Sequence, residues 1–217
     1  MYIPKHFAEE RIPVLHEFIE VHPFAALVTM GESGLIASHI PMVLEREVGS
    51  MGLLKGHISR ANPQWREVAP EVEALAIFNG PEHYITPTWY PEKAETGKVV
   101  PTWNYVAVHV YGCIRIVDDA MWLRAHLETL TTIHEAGMAT PWKVSDAPEE
   151  YVAAMAKGIV GIEMAVTRIE GKWKASQNRP DKDSQGVAAG LRELGTPESK
   201  AMQALVEERR RGLYNGS

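Results

Sequence analysis

Val106–Val117, VAVHVYGCIRIV, alternates along its whole length. Val106, Val108, Val110, Ile114 and Ile116 share one side with Gly112, while Ala107, His109, Tyr111, Cys113 and Arg115 share the other. A period of two is that of a half-buried strand and cannot present one face of a helix. A strand needs partners, so the rest of the chain is read for them. Phe24–Met30 and Leu35–Glu45 flank the turn Gly31–Gly34 and predict a hairpin, with Pro41 marking an edge or a bulge. Further strands are expected at the apolar start of Leu53–Trp65, at Ala74–Phe78 and at Ile159–Ile169, the last ending in a Glu170-Gly171 turn before an irregular Lys172–Arg179. Helices are expected at Glu9–Val21, from an Asp118 or Asp119 cap to about Glu135, at Pro148–Lys157, near Asp183–Leu194 and at Pro197–Arg211. Asn79–Tyr105, rich in Pro, Gly and aromatics, is expected to be a long functional loop. Short antiparallel strands with few helices between them favour a small β-barrel with helices outside. The regular alternation of a doubly wound sheet is missing.

The stretch Leu53–Trp65, LLKGHISRANPQW, predicts strand, polar turn and helix start. Asn62 suits an N-cap and Pro63 a first helical position. A helix start with Lys55, His57, Ser59 and Arg60 beside it can hold an anion such as a nucleotide phosphate. The same residues also describe a solvated strand end with an ordinary cap, and spacing alone leans to that second reading.

The net charge of −6 disfavours a broad nucleic-acid surface, although a local basic patch stays open. Cys113 is the chain's single cysteine, which excludes an intrachain disulfide framework and agrees with a cytoplasmic setting. No apolar run is long enough to cross a bilayer, and the N-terminus has no secretory pattern. The histidines form no HExxH or similar ligand pair, so no metal is expected, and Cys113 has no adjacent base. The C-terminal run Glu207–Arg211 reads as a solvated helix end.

MYIPKHF at Met1–Phe7, SHIPM at Ser38–Met42 and GHISRANPQW at Gly56–Trp65 are followed by GPEHYITPTWYP at Gly80–Pro91, VPTWNYVAVHVYG at Val100–Gly112 and KASQNR at Lys174–Arg179. As an ordered set over nearly the whole chain, these pieces resemble the PaiB-type family of FMN-binding negative transcriptional regulators, split-barrel flavoproteins related to pyridoxamine phosphate oxidase. Ser59 stands where that resemblance leads one to expect a small residue such as Ala. The resemblance implies an α+β, mainly β fold: a six-stranded antiparallel split β-barrel with peripheral helices, over residues 1–180, and a helical C-terminal extension over 181–217. It also implies a homodimer with FMN near the dimer interface.

With that resemblance, Lys55, His57, Ser59, Arg60 and Asn62 are expected at the FMN phosphate. Ser38, His39, Ile40, Pro41 and Met42 are expected along the flavin ring. Thr102, Trp103 and Asn104 are expected to shape the pocket, with Gln177 and Arg179 reaching the cofactor, across the dimer in one version. Trp89 could shape the same pocket or serve as plain core or interface packing. Any redox chemistry would be the flavin's, so no catalytic side chain is named. The alternatives are a transcriptional repressor or redox sensor, acting directly or through a partner, and a barrel repurposed for haem with His57 or His109 as ligand. Direct DNA contact finds no support in the charge or in a helix-turn-helix pattern.

Overall fold

Over the described residues, 1–212 of the computed structural model, eight strands and seven α-helices follow one another. They are β1 (Ala8–Glu9), α1 (Ile12–Val21), β2 (Phe24–Gly31), β3 (Gly34–Pro41), β4 (Val43–Glu45), β5 (Leu53–Ser59), α2 (Gln64–Glu67) and β6 (Ala74–Ile85). The chain continues with α3 (Glu92–Thr96), β7 (Thr102–Val117), α4 (Ala120–Glu135), α5 (Glu149–Ala156), β8 (Ile159–Lys174), α6 (Asp181–Leu194) and α7 (Pro197–Arg210). The fold is of the expected α+β split-barrel class, built from eight strands rather than six, with strand and helix in nearly equal share. Strand order is β3-β2-β6-β7-β8-β5-β4, with β1 on β8. Positions 213–217 of the expected C-terminal extension lie outside the described residues.

Contacts divide the chain into two units. The first is Ile12–Phe78 with His109–Ile169; the second is Met1–Arg11, Asn79–Val108 and the chain from Glu170. Inside the first unit, β2 pairs antiparallel with β3 in the register Ala26↔His39 and with β6 in the register Leu27↔Ala76. On the other side β5 pairs antiparallel with β4 and with β8, in the registers Lys55↔Val43 and Lys55↔Glu163. Its core holds Leu15, Ile19, Leu27, Leu54, Phe78, Ile162 and Met164, all essentially closed to solvent. Each such side chain contributes about 1.5–3 kcal/mol of burial.

The expected single strand Leu35–Glu45 is two strands. β3 follows β2, whereas β4 pairs with β5. The break falls at Met42, whose N–H makes a last bond in the β2–β3 register, to the Pro23 carbonyl at 2.9 Å, before Val43 pairs with Lys55. Pro41 has no N–H for a ladder, so the chain can change partners there. Gly56 makes the crossing possible: a Cβ on it would lie 3.2 Å from Ile40 Cδ1 and 3.4 Å from the Pro41 carbonyl.

In the second unit, Ala8↔Lys172 and Glu9↔Gly171 pair antiparallel. Its core gathers Ile85, Tyr90, Ala175, Val187, Leu191, Met202 and Val206, with Trp89 packed on α6 where Gly190 leaves room for the indole. Two expectations are corrected here. Asn79–Tyr105 is not one long loop: β6 runs on to Ile85, a 3-10 turn occupies Pro87–Trp89, α3 follows, and β7 begins at Thr102. Nor does the chain turn at Glu170-Gly171, because β8 continues to Lys174. Pairing with β1 extends the ladder past a glycine that local propensity reads as a stop.

Candidate functional site

In the first unit, Ser38, His39, Ile40 and Pro41 of β3 meet His57, Ile58 and Ser59 of β5 around a concavity of 510 Å³, completed by Ala37, Asn62, Gly158 and Ile159. This size lies within the range of small-molecule sites. β3 stands at one end of the strand order, so its outer backbone edge can hydrogen-bond a ligand. Asn62 braces the two sides: its Nδ2 donates to Ser38 Oγ at 2.8 Å, and its Oδ1 accepts the Gln64 N–H at 3.0 Å. Ser59 Oγ accepts the Ala61 N–H at 3.2 Å. Both serine hydroxyls therefore keep a proton to donate into the concavity. Met42 is buried and does not line it.

The structure binds the expected phosphate corner mostly to itself. Helix α2 is a single turn, held by the buried Gln64, whose Nε2 donates to the Leu27 carbonyl at 3.1 Å and to Thr29 Oγ1 at 3.0 Å. Lys55 Nζ pairs with Glu45 at 2.6 Å. Arg60 makes a two-pronged pair with Asp118, at 2.9 and 2.6 Å, and its Nε donates to the Lys157 carbonyl at 2.9 Å. Neither Lys55 nor Arg60 lines the concavity. Exposed pairs of this kind are weakly held, so a dianion can compete for the guanidinium.

His57 sits where the concavity meets helix α4. Its Nδ1 lies 3.1 Å from His126 Nε2, and the Trp122 ring stacks on His126 with centroids 5.1 Å apart and planes 18° from parallel. Trp122 Nε1 donates to the buried Glu163 at 2.7 Å, and Arg115 pairs with the same carboxylate. The indole lies flat over Gly161, where a Cβ would sit 2.3 Å from Trp122 Cζ3. Burial holds the His57 imidazolium unfavourable, lowering its pKa. His126 is pushed to about 4 by burial first, then by the charges of His57 and Lys55. His57 and Ile159 also line an apolar concavity of 350 Å³ with Trp142, Tyr151 and Met155.

In the second unit, Asn104 is buried; its Nδ2 donates to Ser176 Oγ at 2.8 Å, and its Oδ1 has no hydrogen bond. Thr102 accepts from Lys174 Nζ. Trp103 is about half exposed and meets Tyr84 edge-on, with centroids 5.9 Å apart. Gln177 spends its amide on the chain itself, accepting the Ala175 N–H and donating to the Trp173 carbonyl. That clamp holds Ser176 at φ 63°, a left-handed conformation uncommon for serine. The Arg179 guanidinium lies 4.8 Å from the Tyr90 ring centroid. The expected residues thus form two sets, Ser38–Asn62 in the first unit and Thr102–Arg179 in the second.

Sequence reasoning passed over Trp122, His126 and Glu163, which look like ordinary helix and strand positions. Lys172 and Lys174, expected in an irregular segment, stand on β8 instead.

The chain matches the family described as "Putative FMN-binding domain" over residues 1–168. It is 38% identical to an uncharacterized protein of Emericella nidulans over 96% of this chain and 97% of that one. It is 31% identical to the protease synthase and sporulation protein PAI 2 of Bacillus subtilis, over 96% and 98%. Among solved structures it resembles an FAD and heme binding protein of Mycobacterium smegmatis, with a TM-score of 0.55 and 17% identity over 83% of this chain and 78% of that one. At that identity the likeness is one of fold.

Proposed function

From the premise that the chain belongs to the FMN-binding domain family, as a flavoprotein of the PaiB type with FMN as its cofactor, we propose that FMN is held in the concavity between β3 and β5. The observation that carries this reading is the meeting of Ser38–Pro41 with His57–Ser59 and Asn62 around one ligand-sized space on the free edge of β3. The residues fit the group. The β3 edge supplies backbone donors and acceptors for the polar rim of a flat ring. The Ser38 and Ser59 hydroxyls supply neutral donors, and Arg60 supplies the charge once it turns from Asp118. When bound, FMN supplies hydride or electron transfer. The protein's part is to position it, with the neutral His57 at the floor of the space.

The reading includes a cytoplasmic homodimer. Met30 and Leu35 pair across the tip of the β2–β3 hairpin and are exposed, as is Phe24 at its base, and apolar side chains left on the surface favour burial by a partner. Regulation of transcription, if it occurs, runs through a partner protein, since a net charge of −6 opposes direct DNA contact. The test is FMN titration of purified protein with light scattering on the same sample. A yellow dimer with one flavin per chain agrees; protein that carries no flavin once unbound FMN is removed rejects the site.

A further inference from the structure

Among the described residues, every buried or half-buried lysine and arginine has a carboxylate partner, with three exceptions: Lys172, Lys174 and Arg179. All three belong to the second unit. In a chain with 28 acidic and 22 basic residues, three recessed cations without an acid are unexpected. Lys172 and Lys174 stand two apart on β8 and so share a face of that strand. Lys172 is buried; its Nζ donates to the Tyr2 carbonyl at 3.0 Å and lies 5.0 Å from the Tyr105 ring centroid. Lys174 donates to the Thr102 hydroxyl, and Arg179 lies over Tyr90. The buried Asp183 accepts the Glu92 N–H at 3.2 Å and makes no ion pair with Arg179. The Lys174 pKa is lowered by burial, then by Lys172 and Arg179. A cation left in that state is stabilised by any anion that reaches it.

We propose that Lys174, Arg179 and Thr102, with Lys172 behind them, form an oxyanion site that takes the phosphate or carboxylate of a small-molecule ligand other than FMN. A lysine on a hydroxyl, with an arginine near enough for its charge to act on that lysine, supplies charge and several directed donors, the usual chemistry for such a group. The recessed position suits a small anion better than a polymer backbone. Asn104, whose buried Oδ1 lacks a hydrogen bond and whose Nδ2 donates to Ser176 Oγ, stands two residues from Thr102 on the same face of β7.

The test uses the full chain saturated with FMN and two probes, inorganic phosphate and malonate, read by calorimetry and thermal shift. At least one probe binds the wild type and raises its melting temperature. The double variant Lys174→Met/Arg179→Gln binds it at least tenfold more weakly, while Lys200→Ala, at an exposed position, binds it as the wild type does. Phosphate alone binding points to a phosphate ester; malonate alone points to a carboxylate ligand, and either result supports the site. Nitrogen NMR of the wild-type lysines gives a readout that needs no variant: the Lys174 pKa rises when the probe binds. Neither probe binding, equal weakening by Lys200→Ala, or, in a parallel sample free of flavin, reversal of the phosphate-induced Lys174 shift on adding FMN would overturn the proposal. The last result assigns the cluster to the cofactor; a failure of the β3–β5 reading shows instead as absent flavin.

Discussion

His57 Nδ1 and His126 Nε2 stand 3.1 Å apart, so a single imidazole–imidazole hydrogen bond ties strand β5 to helix α4. Only one ring can donate at that contact and the other must accept, so a second proton on the pair breaks it. The bond holds the candidate flavin pocket on one side to the Trp122–Glu163 contact on the other.

The pH dependence follows from the lowered pKa of His126. Its folded value of about 4 lies below the unfolded 6.5. The unfolded chain therefore takes up the proton first, and the stabilising contribution, complete above 6.5, is lost as pH falls toward 4. Urea unfolding is expected to show a loss on the order of 2 kcal/mol between pH 6.5 and 4.5. His126→Gln, which hydrogen-bonds without titrating, should flatten that slope. An unchanged slope in the variant assigns the acid sensitivity elsewhere.

Arg60 and Asp118 should act in opposite directions on the cofactor. Arg60→Ala removes the charge offered to a phosphate and is expected to weaken FMN at least tenfold. Asp118→Asn releases the guanidinium from its two-pronged pair and is expected to tighten FMN. Riboflavin, which lacks the phosphate, should respond to neither. Equal FMN titration curves for wild type and Arg60→Ala would sink the role of Arg60.

Gly161→Ala places a methyl into the face of Trp122, 2.3 Å from Cζ3. The indole is held by Glu163 and by its stack on His126, so it cannot simply swing away. A loss of about 1–3 kcal/mol is expected, together with a shift in tryptophan emission as the ring moves. Unaltered emission and stability would mean that α4 stands farther from β8.

Asp119→Ala tests the start of the helix that carries both Trp122 and His126. The Asp119 carboxylate accepts the Trp122 N–H at 2.7 Å. Its removal should cost about 1 kcal/mol, and Asp119→Ser should restore most of it. A cost near zero would show that packing alone holds the first turn.

Local rules made the β7 alternation, the hairpin around Gly31–Gly34, the Asp119 cap and the two C-terminal helices readable, because each depends on neighbours a few residues apart. The ordered family pieces made the cofactor readable as well. Strand extent was not readable: β6 and β8 continue past glycine-containing stretches once partners across the sheet supply hydrogen bonds.

What the amino-acid order determined was which residues can donate to an anion and which segments can be strands, since these are properties of side-chain chemistry and local backbone preference. Which of those donors remain available was decided only by the tertiary structure. Arg60 and Lys55 meet Asp118 and Glu45, whereas Lys174 and Arg179 meet no acid. Arg60 and Asp118 lie 58 residues apart in the chain. Charge neutralisation acts through space over a few ångströms, and no count along the sequence measures that distance.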